Sequence, residues 1–325
     1  MSVEVRRVQK LGASSLVVTI PKEWARRLGI EPGSRVYVVD EGDSIRVIPV
    51  DHGSGEAPAL EVPPQASAAG NLVVCVYLSG LSEAEVRLRG PGDPDAALMA
   101  MKEKAFNLLG AQVVEAGEGR AFIRVALDMD KLDLGHLIRG LSSDASKVLS
   151  LLARIIEQGG VSEADLREAE LLERDFLRNQ YAITRYLMTK HAGTVSLVSN
   201  YYTALATGYI GFAVDILINL VRVLPERVEI GEDDARGLLD LIGMADEAIL
   251  VETRVLASPS MRRIGELLLR VREARDRARE AMLGARSAAA AIIGAKLHDV
   301  IRILTLSAYV ALCRTLIEAA KGRRG

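Results

Sequence analysis

A β-branched run that ends in a proline is the feature that most constrains how this chain can fold. It reads Leu16-Val-Val-Thr-Ile-Pro21, inside a stretch from Val8 to Gly29. The apolar, β-branched residues before the proline predict a strand. Pro21 suits the first turn of a helix, and Gly29 suits the position just past a helix end. The stretch therefore predicts strand, turn, strand and a short helix.

Two more strands are predicted directly after this helix. Glu31-Pro-Gly33 forms a turn, and apolar residues alternate in Arg35–Val39 and Ile45–Ile48. Glu41–Ser44 has the composition of the hairpin loop between them. A module of this size with four short strands cannot close a sufficient core alone, so its apolar faces need a partner.

This order of elements resembles the swapped-hairpin domain of the AbrB, MazE and SpoVT group of DNA-binding proteins. The resemblance covers residues 1–50 and implies a homodimer with interlocked hairpins that binds DNA. The residues that carry it are Lys10-Leu-Gly-x-Ser-Ser15, Val18-Thr-Ile-Pro-Lys22, Leu28-Gly-Ile30 and Pro32-Gly33.

Charge is unevenly placed in this N-terminal region. Residues 1–30 contain six Lys and Arg side chains against Glu4 and Glu23. Two copies would supply cations for phosphates along two half-sites, and hydroxyls beside a glycine turn suit phosphate oxygens. Ordinary solubilising charge is the alternative for these cations, and Trp24 is predicted to anchor the short helix in the core. The predicted DNA-binding residues are Arg6, Arg7, Lys10, Ser14, Ser15, Lys22 and Arg26.

Composition limits the class of protein. The net charge of the 325-residue chain is −2, so binding to nucleic acid must be local. Two distant cysteines and the lack of a signal-peptide pattern lead us to expect a cytoplasmic protein without disulfides. Residues 193–224 are apolar, but Asp215 interrupts the run, so we expect a buried bundle helix and no membrane insertion.

The composition of the chain changes at residue 51 and again at residue 71. Residues 51–70 are rich in Gly, Pro, Ser and Ala and are predicted to be a linker. Residues 71–130 are predicted to form a small α+β domain, ferredoxin-like or ACT-like, which serves as a spacer or dimerisation unit, with ligand sensing as the alternative. Its predicted elements are strands at Leu72–Leu78 and Glu85–Arg89, a helix at Asp95–Leu109, and a hairpin of Ala111–Glu115 with Arg120–Leu127.

Residues 131–325 are predicted to be almost entirely helical, with Ser162 as one N-cap. Six long helices predict two three-helix bundles. The fold class is therefore multi-domain, with a strand-rich swapped-hairpin head, a small α+β unit and an all-α tail. The predicted helices lie near 133–158, 162–189, 194–224, 232–257, 260–284 and 287–321.

Three stretches of the tail carry a second resemblance: Leu134-x-x-Leu-Ile-Arg-Gly-Leu141, Leu172-Glu-Arg-Asp175 and Ile183-Thr-Arg-Tyr-Leu187. With the head in front of them, they resemble the archaeal-type phosphate-uptake regulators, which join an AbrB-type domain to a PhoU domain. The resemblance implies a transcriptional regulator of phosphate uptake, with phosphate transporter components as partners. The alternative is a protein-interaction adaptor whose head serves only to dimerise.

The acidic clusters typical of PhoU domains are incomplete in this tail. Carboxylates at i and i+4 share a helix face and can ligate one metal together. Glu173 and Glu252 each have a leucine four residues later, and Thr305 stands where the last helix would need an aspartate. A single carboxylate is a poor site for a hard cation, so we expect no multinuclear metal site. Asp215 and Asn219 are predicted to be a hydrogen-bonded pair inside the bundle.

Motifs of catalysis are not found in the sequence. The four histidines, at positions 52, 136, 191 and 298, lack zinc-ligand spacing, and no nucleotide-binding glycine loop occurs. We therefore expect neither an enzyme nor a cofactor. The arginine-rich run Arg262–Glu280 is predicted to be a solvated face with Glu266–Arg270 and Glu273–Arg277 pairs. A second surface for an anionic partner is the alternative.

Overall fold

A computed structural model describes residues 3–40, 45–49, 57–189 and 197–321. The chain divides into two compact units, and the division falls between Ala57 and Pro58. The first unit is the head, and the second contains the α+β region and the helices. The predicted loop Glu41–Ser44 and the first residues of the predicted linker lie outside the described residues, as do His52 and His191.

The head contains two separate β-hairpins and one short helix, in the predicted order. Pro21 is the N-cap of the helix, and Gly29 follows its C-cap with φ +66°, a conformation that strains residues with a side chain. The apolar run that begins at Leu16 is a strand only as far as Val17. The elements are β1 (Gln9–Leu11) paired with β2 (Ser15–Val17), α1 (Lys22–Arg27), and β3 (Val36–Asp40) paired with β4 (Ile45–Pro49).

The apolar side chains of the head lie largely on its surface. Leu16 exposes 74% of its surface, Ile45 74% and Val38 67%. Helix α1 has no fully buried residue, and Trp24, predicted to be a core anchor, is only half-buried. A module that leaves this much apolar surface in water needs a partner surface to cover it.

The second unit opens with a four-stranded sheet and two helices. Strand β5 is parallel to β6, and β8 pairs antiparallel with both β6 and β7. This β-α-β-α-β-β order differs from the β-α-β-β-α-β order of the ferredoxin-like fold that was one expectation. The elements are β5 (Ala59–Val62), α2 (Ala66–Leu78), β6 (Glu83–Leu88), α3 (Pro94–Phe106), β7 (Ala111–Gly117) and β8 (Arg120–Val125).

The predicted strand at Leu72–Leu78 is wrong, because these residues form the second half of α2. A continuous apolar run does not show its period, so sequence alone cannot distinguish a buried strand from a buried helix. Burial at Ala69, Val73 and Tyr77 follows helical spacing. Consequently β5 and the first turn of α2 lie within the segment predicted to be a linker.

Six long helices follow a short 3-10 turn at Met129–Lys131, close to the predicted bounds. One continuous apolar core receives side chains from all six, so the two sets of three helices share a core. Helices α6 and α9 pack together and run antiparallel, since Ser307 bonds Ala206 while Arg314 bonds Ser199. The helices are α4 (Leu134–Gln158), α5 (Glu163–Thr189), α6 (Leu197–Val223), α7 (Glu232–Ala257), α8 (Met261–Gly284) and α9 (Ala288–Lys321).

Two stretches of the described chain, Val198–Val223 and Ala288–Ala320, are long and apolar enough to cross a membrane by length and composition. Half of the apolar window of each is buried inside the fold. Long core helices of soluble proteins meet the same criterion. The first of these stretches is the one predicted to be a bundle helix.

Candidate nucleic-acid interface

The β1–β2 hairpin separates two of the predicted DNA-binding residues. Lys10 lies opposite Leu16, and Leu11 lies opposite Ser15. Because successive side chains of a strand point to opposite faces, Lys10 and Ser15 project from different sides of the hairpin. Ser14 lies in the connecting turn after Gly12, whose φ is +67°. One protomer therefore presents Lys10 and the Ser15 hydroxyl in different directions.

Helix α1 brings two other predicted residues together. Lys22 and Arg26 are four residues apart on the helix, so their side chains share one face, and both are exposed. Arg26 also lies in the last turn, where a cation interacts favourably with the helix dipole. This face of α1 can approach a polyanion without burying either charge.

The remaining two predicted cations precede β1. Arg6 and Arg7 are exposed in an extended segment, and Arg6 forms an ion pair with Glu4. Among the described residues, Arg6 is the only one of the five predicted DNA-binding cations that has an ion-pair partner. As far as the described ranges show, the other four would contact phosphate without first breaking an internal pair.

Three acidic positions of the tail bear on metal binding, and Glu173 is the first. Its carboxylate forms a two-pronged ion pair with Arg222, with Nη1–Oε1 at 3.3 Å and Nη2–Oε2 at 2.5 Å. This pair joins α5 to α6 and raises the pKa of the Arg222 guanidinium through the hydrogen bond to Glu173. The oxygens of Glu173 are therefore already engaged by a cation of the chain itself.

The predicted buried pair of Asp215 and Asn219 is wrong, because both side chains are exposed. The buried face of α6 includes Ile210, Leu217 and Val221, and the two polar residues lie outside that face. Their four-residue spacing does place them on one side of the helix, but that side faces solvent. Within the described ranges, no group of three or more His, Cys, Asp or Glu side chains is arranged to hold a metal ion.

Glu252 on α7 is completely buried in the core of the tail. Burial raises the pKa of its carboxyl to about 8, and the hydrogen bond from Ser307 opposes this rise. Ser307 contacts Oε1, whereas Oε2 has no hydrogen-bond partner. The carboxyl at this position is therefore a neutral acid at pH 7.

The helix start at Ser162 confirms the predicted N-cap. The Ser162 hydroxyl accepts a bond from the Asp165 amide at 3.2 Å, and the Asp165 carboxylate accepts from the Ser162 amide at 2.8 Å. Gln158 and Arg154 donate to the same carboxylate at 2.7 and 3.0 Å. Burial alone would raise the pKa of Asp165, but these hydrogen bonds outweigh burial and lower it to about 2.

Two buried arginines cap the C-terminal ends of helices, a role that the sequence did not predict. Arg185 on α5 donates to the carbonyl oxygens of Tyr77 at 2.6 Å and Leu81 at 3.0 Å, just where α2 ends. Arg314 on α9 donates to the carbonyl oxygen of Leu256 near the end of α7. Each guanidinium satisfies orphan carbonyl groups at the negative end of a helix dipole.

A signal for Arg185 was present in the sequence. It lies within Ile183–Leu187, one of the stretches that carry the resemblance, and Tyr181, Ala182 and Met188, one turn away on the helix, are largely apolar. An arginine on the apolar face of a helix needs a buried partner. The sequence did not reveal that this partner would be the end of α2.

The comparisons with known proteins concern the head alone. A family described as "Antidote-toxin recognition MazE, bacterial antitoxin" matches residues 9–54. No curated protein and no solved structure matches the chain significantly. The N-terminal region is thus a MazE-like domain, which agrees with the resemblance of residues 1–50, and it is followed by a mostly helical body.

Proposed function

We propose that this protein is a DNA-binding transcriptional regulator whose MazE-like head binds DNA as a homodimer. The observation that carries the proposal is the match of residues 9–54 to a MazE domain, in a region with an excess of exposed cations. Domains of this kind commonly dimerise and bind DNA. The exposed apolar side chains of the two hairpins support dimerisation, because a second copy would remove them from water.

The finer part of the proposal concerns phosphate. The order of head, α+β unit and six-helix tail resembles that of the archaeal-type phosphate-uptake regulators, and we propose the same role here. The tail would sense a state or bind a partner, with phosphate transporter components as the candidates. The protein would act in the cytoplasm, without membrane insertion, catalysis or cofactor.

The first experiment is a salt titration of binding between the full-length protein and its own upstream DNA. The test variant carries Arg6→Glu, Lys10→Glu and Arg26→Glu. The control carries Arg167→Glu, Arg236→Glu and Arg262→Glu, which reverse the same number of exposed charges on the helical tail. Association constants are measured for all three proteins between low and physiological salt.

We expect the parent and the control to show a steep decline of log affinity with log salt, roughly 0.9 per neutralised phosphate. The head variant should bind weakly, with a flatter slope. If the head variant and the control lose affinity equally, the assigned residues do not bind DNA. Light scattering on each protein checks that the head variant is still a dimer, so that lost DNA binding is not a consequence of dissociation.

A second candidate function is supported by the description of the matching family, which concerns recognition of a toxin protein. In this case the chain would be a protein-interaction adaptor whose head mainly dimerises. Lack of DNA binding by a dimeric parent protein would favour the adaptor. Salt-dependent binding to DNA that is lost only in the head variant would favour the DNA-binding transcriptional regulator.

A further inference from the structure

A groove between α8 and α9 has no role in the proposed function. Its volume is about 540 Å³, which lies within the usual range for small-molecule sites. Positively charged side chains predominate in its lining. The lining residues are Arg275, Asp276, Arg279, His298, Arg302, Thr305, Leu306 and Tyr309.

The cations of this groove converge from two helices. Arg275 and Arg279 are four residues apart on α8, so both project from one face, and Arg302 reaches the groove from α9. Asp276 is the only carboxylate among the lining residues. The three guanidinium groups therefore leave the groove with an excess of positive charge.

Several arginines of α8 that lie outside the groove have a carboxylate nearby. Arg262 pairs with Glu266 at 3.1 Å, Arg277 lies 3.9 Å from Glu280, and Arg270 pairs with Glu247 of α7. The predicted pairs Glu266–Arg270 and Glu273–Arg277 are both wrong. Glu266 and Arg270 each bond elsewhere, and Arg277 lies beside Glu280 instead. In contrast, Arg275 and Arg279 have no carboxylate within 4 Å in the part of the chain that the structure describes.

The walls of the groove suit a compact anion. Leu306 and Tyr309 expose 50% and 52% of their surfaces and form an apolar side next to the cations. Thr305 lies at the position where a PhoU-type motif would need an aspartate, so no carboxylate from this position neutralises Arg302. Asp299 lies 4.0 Å from Arg302 and also 4.0 Å from Lys296, so this one carboxylate is shared between two cations.

We propose that this groove binds a phosphate group, held by Arg275, Arg279 and Arg302. Guanidinium groups match the tetrahedral oxygens of phosphate through paired N–H donors, and such charge-assisted bonds are stronger than neutral ones. The phosphate could belong to a free ion or to the headgroup of a lipid, since the groove is open to solvent and recognises the same chemistry in both. This inference does not depend on DNA binding by the head.

The test uses the full-length protein without DNA, in calorimetric titrations with inorganic phosphate and pyrophosphate at constant chloride concentration. Sedimentation with phosphatidylcholine vesicles, with and without phosphatidic acid, tests the lipid source. The test variant is Arg275→Gln with Arg279→Gln. The control is Arg262→Gln with Arg277→Gln, which removes two charges from the same helix outside the groove.

We expect the parent and the control to bind phosphate or pyrophosphate and the test variant to bind at least about tenfold more weakly, because charge-assisted bonds are lost. If the parent and the control bind only the vesicles that contain phosphatidic acid, and the test variant binds them weakly, the ligand of the groove is a lipid headgroup. Equal loss in both variants would show that general surface charge, and not the groove, attracts anions. Lack of binding to every probe by the parent would overturn the proposal.

Discussion

Replacement of Glu252 by Gln is expected to stabilise the helical body at neutral pH. The Ser307 hydroxyl lies within hydrogen-bond distance of both the Ala206 carbonyl oxygen and Glu252 Oε1, but it has only one proton to donate. A protonated Glu252 satisfies this arrangement, since its own O–H can donate to Ser307 while Ser307 donates to Ala206. The geometry thus agrees with a buried carboxyl whose pKa is raised to about 8.

The magnitude follows from the difference between the folded and unfolded chains. In the unfolded chain the carboxyl ionises near its ordinary pKa of 4.5, whereas the folded protein keeps it protonated up to about pH 8. Ionisation therefore favours the unfolded chain throughout this window, and stability falls as the pH rises. At about 1.4 kcal/mol per pH unit, the cost at pH 7 is roughly 3 kcal/mol. Glutamine has nearly the same shape and does not ionise, so it removes this cost.

The assay is urea unfolding of the full-length protein, followed by circular dichroism at pH 4.5 and pH 7. The stability of the Gln variant relative to the parent should rise by roughly 3 kcal/mol between these two pH values. A constant penalty from the extra amide N–H, about 1 kcal/mol, cancels in this difference. Asp240→Asn, which changes an exposed acid on the same helix, is the control.

A relative stability that does not change between the two pH values would refute the reasoning, because it would mean that Glu252 ionises equally in both states. A stability of the Gln variant, relative to the parent, that falls as the pH rises would contradict the reasoning in its sign. It would show that the folded protein stabilises the charged carboxylate, as it would if a cation were bound beside it.

Two further changes test other buried polar groups of the second unit. Asp165→Asn should lower the free energy of unfolding by roughly 2 kcal/mol at pH 7, because the pKa of the carboxyl falls from 3.8 to about 2 on folding. This contribution is present above pH 4 and disappears as the pH falls towards 2. An acid titration of both proteins should therefore show that their stabilities converge. Arg185→Met should cost about 2–4 kcal/mol, because the carbonyl oxygens at the end of α2 lose their donor. Hydrogen exchange should show faster opening of α2 in this variant but not in the exposed control Arg174→Met, and unchanged exchange would contradict the capping role.

The long helices of the tail could be predicted because their signals are local. Gly and Pro punctuation marks the ends, and the reciprocal bonds of Ser162 and Asp165 arise between residues three apart, so the pattern is visible in the sequence itself. The head was predictable for the same reason, since the Pro21 start and the Gly29 stop of α1 are local backbone preferences.

Other features depend on partners far away in the sequence. The apolar run of α2 fits a strand as well as a helix until α3 packs against it, and an added Cβ at Gly70 would lie 3.2 Å from Lys104 Cγ. The Glu266–Arg270 pair was mispredicted because Glu247, on another helix, pairs with Arg270. Spacing along one helix shows which pairs are possible, and tertiary packing decides which of them form.

The distribution of partners among the charged groups suggests which ligand the tail can accept. Glu173 is paired with Arg222, Glu252 is buried with a raised pKa, and Asp215 is exposed to solvent. Within the described residues, none of these acids belongs to a group of three or more ligands that could hold a metal ion. Buried arginines are occupied by helix ends, whereas Arg275 and Arg279 remain without a carboxylate in the described chain. Arg275, Arg279 and Arg302 line one groove and can hold an anion together, which is why we propose the α8–α9 groove as the anion site of the tail.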